Sequence, residues 1–169
     1  MPFDMVTLRN AVYQTLLDNN TTTSANYLST DLSSAVAVIP RASPQGAPIG
    51  LQQMNAVHVF PLGYEDDYAD MGNVPRRRVQ ARIGVVGTVY GTTPQGSEGA
   101  ENNLNHLMRN VSRIFRVDHR LDSQTTFALS STVIGLRQEI DFEYEMPGGG
   151  DSSYALSAID RLTIELLTT

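Results

Sequence analysis

The sequence predicts an α+β fold: a largely antiparallel sheet of about four to five strands with two helices packed on one face. Three observations lead to this class. Two segments carry apolar residues at helical spacing, five others carry the alternation or the short apolar run of a strand, and their order is helix, three strands, helix, two strands. With 169 residues, 41% of them hydrophobic, the chain suits a single domain spanning 1–169 with its own core.

The first predicted helix covers residues 4–19. Its apolar residues recur mostly at intervals of three or four, which is typical of an amphipathic helix. Asp4 suits the N-cap because its carboxylate can accept a backbone N–H. We expect the helix to end at residues 19–23, where Asn and Thr side chains compete for backbone hydrogen bonds. The apolar stripe consists of Val6, Leu8, Ala11, Val12, Leu16 and Leu17.

Two short strands are predicted next, at residues 35–39 and 56–60. Pro40 ends the first, and Pro61 places the end of the second at an edge or a bulge. Between them lies a Pro- and Gly-rich loop at 40–50 with no helical or strand period. Because long irregular loops in a compact domain usually serve a contact, this loop and its Arg41 are candidates for one.

An extended, charged loop is predicted at 64–78, ahead of a third strand at 79–90 that alternates between apolar and polar residues. Opposite charges on one chain suit ring assembly, in which positive groups of one subunit meet negative groups of the next. Pairing within the chain, or solvation, is the alternative. The charged residues of this loop are Glu65, Asp66, Asp67, Asp70, Arg76, Arg77 and Arg78.

The second helix has the clearest helical pattern in the chain. Ser97 is predicted to cap it, with Glu98 and Glu101 in the first turn, where the helix dipole favours negative charge. Its apolar side consists of Leu104, Leu107, Met108, Val111, Ile114 and Phe115. The other side, which we expect to face solvent, carries Arg109, Arg113, Arg116 and Arg120.

The last third predicts a hairpin of two alternating strands. The first strand has Ile140, Phe142 and Tyr144 at every second position, and the second has Leu162, Ile164 and Leu166. The connection at 146–153 contains three consecutive glycines and is too long for a two-residue turn. We therefore expect a third extended loop there.

Composition excludes several kinds of chemistry. The chain has no cysteine, which rules out disulfides and thiolate ligands, and no lysine, which rules out a phosphate-binding loop of the G-x-x-x-x-G-K type. The formal charge, 12 − 18 = −6, disfavours sequence-specific reading of nucleic acid. No apolar run approaches the ~20 residues of a membrane helix. The chain does not start with a basic segment followed by an apolar one, so the sequence does not indicate a secretion signal. These features predict a soluble protein.

Two clusters contain the residue types of metal or acid–base sites. Asp118, His119 and Asp122 follow the second helix, where such residues more often cap or solvate a turn. The acidic residues of the 64–78 loop lack the spacing that wraps a calcium ion. We therefore expect no catalytic residue, no metal and no cofactor.

The element order, together with three segments, resembles the tail terminator proteins of long-tailed bacteriophages and related neck proteins. These segments are residues 55–65, residues 76–80 and the closing strand at 158–166. The resemblance extends over nearly the whole chain, although the 40–50 loop has no counterpart in it.

The resemblance implies a non-enzymatic virion protein, assembled in the host cytoplasm, that forms a ring, commonly a hexamer. The ring would cap the tail tube, end its polymerisation, join it to the head connector or neck proteins, and let DNA pass without specific binding. The alternatives are a different neck or tail component, such as a tail-tube or head-completion protein, and a small ligand-binding α+β domain. The interface candidates are Arg41, Glu65, Asp66, Asp67, Asp70, Arg76, Arg77 and Arg78.

Overall fold

The structure, a computed structural model, describes residues 3–32, 35–40, 55–71, 74–92, 96–129, 131–143 and 153–168. These ranges contain two helices and five strands, in the predicted order. They are α1 (Met5–Asp18), β1 (Val36–Ile39), β2 (Asn55–Met71), β3 (Val74–Thr92), α2 (Gly96–Val117), β4 (Thr132–Glu143) and β5 (Ser153–Thr168).

The described strands form one mixed sheet in the order β1-β2-β3-β5-β4. Only β1 and β2 run parallel, while the other three pairs are antiparallel. Buried residues of both helices and of one sheet face form a single hydrophobic cluster. The predicted α+β class, with a largely antiparallel sheet and both helices on one face, is therefore confirmed.

The boundaries predicted for α1 are confirmed by its caps. Asp4 accepts hydrogen bonds from the Val6 backbone N–H (2.9 Å) and from the Thr7 hydroxyl (2.6 Å), and these bonds lower the pKa of its carboxyl. Asn19 forms the C-cap. The predicted apolar stripe is buried except for Val6 and Leu17, which are 55% and 36% exposed. The stripe that contacts the core is therefore narrower than the sequence indicated.

β2 continues through Pro61 instead of ending there. The pairing partner changes from Ile83 at Pro61 to Arg82 at Gly63, so that Leu62 is the extra residue of a β-bulge. Both alternatives for Pro61 are observed: it adjoins the bulge, and it lies at an edge among the described strands, because β1 pairs with β2 only as far as His58. A proline fits at this position because a bulge already interrupts the ladder of hydrogen bonds.

The prediction of an extended loop at 64–78 is wrong. Residues 64–71 belong to β2 and residues 74–78 to β3, and the two strands pair as a hairpin up to Met71 and Val74. Acidic residues are poor strand formers, but here Asp66 and Glu65 form ion pairs with arginines of β3, Arg77 and Arg82. Opposite charges on neighbouring strands stabilise a strand pair. Of the other two predicted loops, residues 41–50 and 146–152 lie outside the described residues, and Ser153 begins β5.

α2 packs on β3 and β5 through the predicted apolar side, and all six of its members are at most 1% exposed. The helix begins at Gly96, so Ser97 lies inside its first turn and does not cap it. Asn110, fully buried on the same helix, donates hydrogen bonds to the carbonyl oxygens of Leu28 (2.9 Å) and Thr30 (2.8 Å). These bonds attach the segment after α1 to α2. Neither helix in the described ranges is long and apolar enough to cross a bilayer.

Gly87 of β3 lets α2 approach the sheet closely. A Cβ atom at this position would lie 2.7 Å from the sulfur of Met108 and 3.1 Å from a methyl carbon of Leu107. Both neighbours belong to the buried side of α2. The missing side chain therefore sets the distance between helix and strand.

We predict that Gly87→Ala lowers the free energy of unfolding by about 1–3 kcal/mol, because the added methyl forces α2 away from β3. Chemical denaturation monitored by circular dichroism measures the change. Gly135→Ala is the matched control, since a Cβ there would lie an ordinary 3.7 Å from its nearest neighbour, Glu165. Equal effects of the two substitutions would contradict the close contact.

Candidate assembly surface

The long hairpin of β2 and β3 projects past the rest of the sheet. We use the term hairpin arm for residues 63–71 of β2 and residues 74–82 of β3. β5 accompanies β3 only from Arg77, which pairs with Thr168. Closer to the tip, residues 69–71 and 74–76 pair only with each other among the described residues. The arm thus has a base supported by β5 and a tip formed by two strands alone.

Ion pairs join the strands at the base of the arm. On the side of the sheet that carries the helices, Arg77 donates two hydrogen bonds to the Asp66 carboxylate, and both side chains are 23% exposed. The hydrogen bond from Arg77 lowers the pKa of Asp66. The bidentate geometry is the one in which an arginine–carboxylate pair is most specific. It holds β2 and β3 in register.

The opposite side of the arm, which no helix covers among the described residues, has two further pairs. Arg78 donates to Glu165 of β5 at 2.7 Å, and Arg82 lies 3.6 Å from Glu65 of β2. The central strand supplies the positive partner in both pairs, and its neighbours supply the carboxylates. Two separate ion pairs therefore link β3 to its two neighbouring strands on this surface.

A shallow groove of about 500 Å³ lies beside these pairs, lined by Glu65, Asp66, Asp67, Arg78, Gln80 and Glu165. Asp67 is exposed and forms no ion pair within the part of the chain that the structure describes. It stands opposite Arg78 in the strand register, but the Arg78 guanidinium contacts Glu165 instead. Asp67 is consequently a described carboxylate of the arm that is free to contact another molecule.

The structure brings five of the eight sequence-predicted interface residues together in the arm: Glu65, Asp66, Asp67, Arg77 and Arg78. The backbones of Asp70 and Arg76 lie near the tip, opposite Pro75 and Ala69, and their side chains lie outside the described part of the structure. Arg41 also lies outside the described residues. Pairing within the chain, the alternative considered from the sequence, accounts for the contacts of Arg77 and Arg78.

The arginine side of α2 is only partly a solvated surface. Arg116 is exposed, and Arg109 donates to Asp31 at 2.8 Å from an exposed position. Arg120 is also exposed, but the prediction that it lies on the helix is wrong, because α2 ends at Val117. Arg113 differs, because its Nε and Nη2 atoms are buried and have no hydrogen-bond partner. The expectation of a fully solvent-exposed stripe is therefore wrong for Arg113.

The turn after α2 is closed by Asp118. Its carboxylate accepts hydrogen bonds from the Asp122 backbone N–H (3.1 Å) and from the Ser123 hydroxyl, while His119 is exposed. The sequence-based expectation of a capped or solvated turn is confirmed for Asp118. Within the described residues, no three His, Cys, Asp or Glu side chains are grouped so that they could hold a metal ion.

Sequence reasoning missed the buried carboxyl of Asp160. This residue of β5 is fully buried, accepts a hydrogen bond from the Gln138 amide at 2.7 Å, and has an Oδ1 atom without a partner. Burial raises its pKa to about 6. The signal was present in the sequence, because Asp160 occupies an inward position of the alternation that includes Ala158 and Leu162.

Glu165 was also missed as a partner of Arg78. The two residues are 87 positions apart in the chain, and nothing in the local pattern of either strand indicates that β3 and β5 are neighbours. Only the strand order of the folded sheet reveals this pair.

Comparison with known proteins gives little beyond these observations. No protein-family model matches the chain, and no curated protein does either. Among solved structures, a chain of the "Virion of native gene transfer agent (GTA) particle" matches with 19% identity and a TM-score of 0.43, over 94% of each chain.

We predict that Asp160→Asn stabilises the protein at pH 7–8 by about 2 kcal/mol, because the ionised carboxyl is buried with one oxygen unpaired. Its folded-state pKa lies above its unfolded value, so the folded protein binds the proton more tightly. The stability that protonated Asp160 gives the wild type is therefore lost as the pH rises through about 6. The free energy of unfolding of the wild type consequently increases, relative to that of Asp160→Asn, as the pH falls from 7 towards 4.

Urea unfolding of both proteins across pH 4–8 measures this difference. Asp67→Asn, at an exposed carboxyl, is the control and is expected to leave the pH dependence close to wild type. A wild-type and an Asp160→Asn protein whose stabilities differ by the same amount at every pH would contradict the raised pKa.

Proposed function

We propose that the protein is a structural component of a phage-like virion, without catalytic activity, and that it forms a ring at the end of the tail tube. The ring ends polymerisation of the tube and joins it to the head connector or neck proteins. The family resemblance of the sequence suggests this role, and a hexamer is the ring size it implies. No cofactor takes part.

The observation that carries the proposal is the hairpin arm. Three cross-strand ion pairs link the strands at its base, and its tip extends past the strand that supports it. A subunit in a ring must reach its neighbours or the tube below with an ordered projection, and exposed strand edges are common means of such contact. The arm is the described segment of the chain that best suits this task.

Charge on the described surface supports passage of DNA without specific binding. Arg78 and Arg82, whose side chains the structure describes on the helix-free side of the arm, are paired with carboxylates, and the whole chain carries a net charge of −6. Free arginines would retard DNA by binding its phosphates. The matched chain comes from the virion of a gene transfer agent particle, but the proposal does not rest on that likeness.

The proposal is tested by assembling tail tubes from the tube protein of the same genome, with and without this protein, and measuring tube lengths by negative-stain electron microscopy. We expect capped tubes of bounded length that bear a ring at one end. Unregulated tube length in the presence of the protein would contradict the proposal. Growth of long tubes from this protein alone would favour the tail-tube alternative.

We predict that Asp67→Asn strongly weakens capping while leaving the fold intact, because it removes the exposed, unpaired carboxylate of the arm without placing a second positive charge opposite Arg78. The same tube-length assay, with a thermal unfolding curve for each variant, provides the measurement. Glu98→Gln removes one negative charge at an exposed position of α2, and it should cap tubes normally. Normal capping by Asp67→Asn would remove Asp67 from the interface.

A further inference from the structure

β4 ends the sheet on the side opposite β1 and leaves one strand edge open. In the strand order β1-β2-β3-β5-β4 it pairs with β5 alone, and no other described strand reaches it. Two of its apolar side chains, Ile134 and Phe142, are 51% and 40% exposed, and Leu136 and Ile140 are only partly buried. An open edge with exposed apolar side chains tends to pair with another strand.

The charges of β4 have a symmetric arrangement. Arg137 and Glu139 flank Gln138, both are exposed, and both lie on the side of the sheet away from the helices, because they stand opposite Thr163 and Arg161 of β5. Neither forms an ion pair with another described residue. The neighbouring Asp141, in contrast, is already paired with Arg161.

We propose that β4 pairs antiparallel with β4 of a second copy of this chain, about a two-fold axis through Gln138. Residues 135–141 of the two strands then stand opposite one another in reverse order. Arg137 of each copy meets Glu139 of the other on the outer side of the sheet. Leu136 meets Ile140 on the helix side, which covers apolar surface that β4 now exposes.

Charge selects this register over its neighbours. An axis through Arg137 places two arginines opposite each other, and an axis through Glu139 places two glutamates opposite each other. An axis through Ile140 sets Glu139 against Asp141. Since like charges directly opposite each other destabilise a strand pair and opposite charges stabilise it, only the axis through Gln138 satisfies Arg137 and Glu139 together.

The pairing is closed, because each copy offers the same strand to the other. It therefore produces a dimer and no polymer, and it removes an open edge from the free subunit. The bulge between Val133 and Gly135 limits the pairing at one end, since it disturbs the regular strand there. The inference does not depend on the proposed function, whose contacts were assigned to the hairpin arm. It concerns the free protein, because a ring with two different faces contains no two-fold axis between its subunits.

Sedimentation equilibrium of the purified full chain tests the proposal through charge reversal. The wild type should form a dimer. Arg137→Glu or Glu139→Arg alone should weaken dimerisation about tenfold, because each creates two like-charged pairs. The double variant Arg137→Glu/Glu139→Arg should restore wild-type affinity by exchanging the partners. Arg116→Glu, an equal change on the exposed side of α2, is the control and should dimerise like the wild type.

A cross-link provides a second readout that does not depend on affinity. The chain has no cysteine, so Arg137→Cys and Glu139→Cys proteins each contain one thiol. Mild oxidation of their mixture should yield a disulfide dimer much faster than oxidation of either protein alone. A monomeric wild type, a double variant no tighter than the single ones, or equal cross-linking in all three samples would overturn the proposal.

Discussion

The whole architecture depends on β3, which is paired over nearly all of its length on both sides. It contacts β2 from Val74 to Thr88 and β5 from Arg77 to Thr92. Its two faces make different contacts. One face packs against α2, where the absence of a side chain at Gly87 lets the helix come close. The other supplies the arginines that bind carboxylates on the neighbouring strands. The core and the hairpin arm are thus built on one strand.

Apolar burial and charge together determine the form of the arm. A two-stranded hairpin alone is only marginally stable in water, and the base of the arm buries Val79 and Ala81 in the core. The bidentate contact of Arg77 with Asp66 and the contact of Arg78 with Glu165 add pairs of opposite charge between the strands. Individual exposed ion pairs contribute little to stability. Their value here is that they select one strand register and one orientation of the arm, which a projecting contact element requires.

The sequence was most informative where one apolar period dominated. Helical spacing predicted α1 and α2, and strict alternation predicted β3 and β5, because in each case one side faces the same core. It failed at residues 64–71, where a run of acidic residues indicated a loop and the stabilising arginines lie on other strands. The sequence pattern also did not predict the buried carboxyl of Asp160 or the pairing of Arg78 with Glu165. These features depend on which strands are neighbours, and local pattern does not contain that information.

The central claim is that the hairpin arm becomes buried when the protein assembles. Amide hydrogen exchange of the free protein and of the tube-bound protein tests it directly, because exchange slows where the backbone is covered. The account predicts that the amides of residues 63–71 exchange markedly more slowly in the tube-bound protein, while those of α1 are unchanged. Equal exchange of the arm in both states would contradict it.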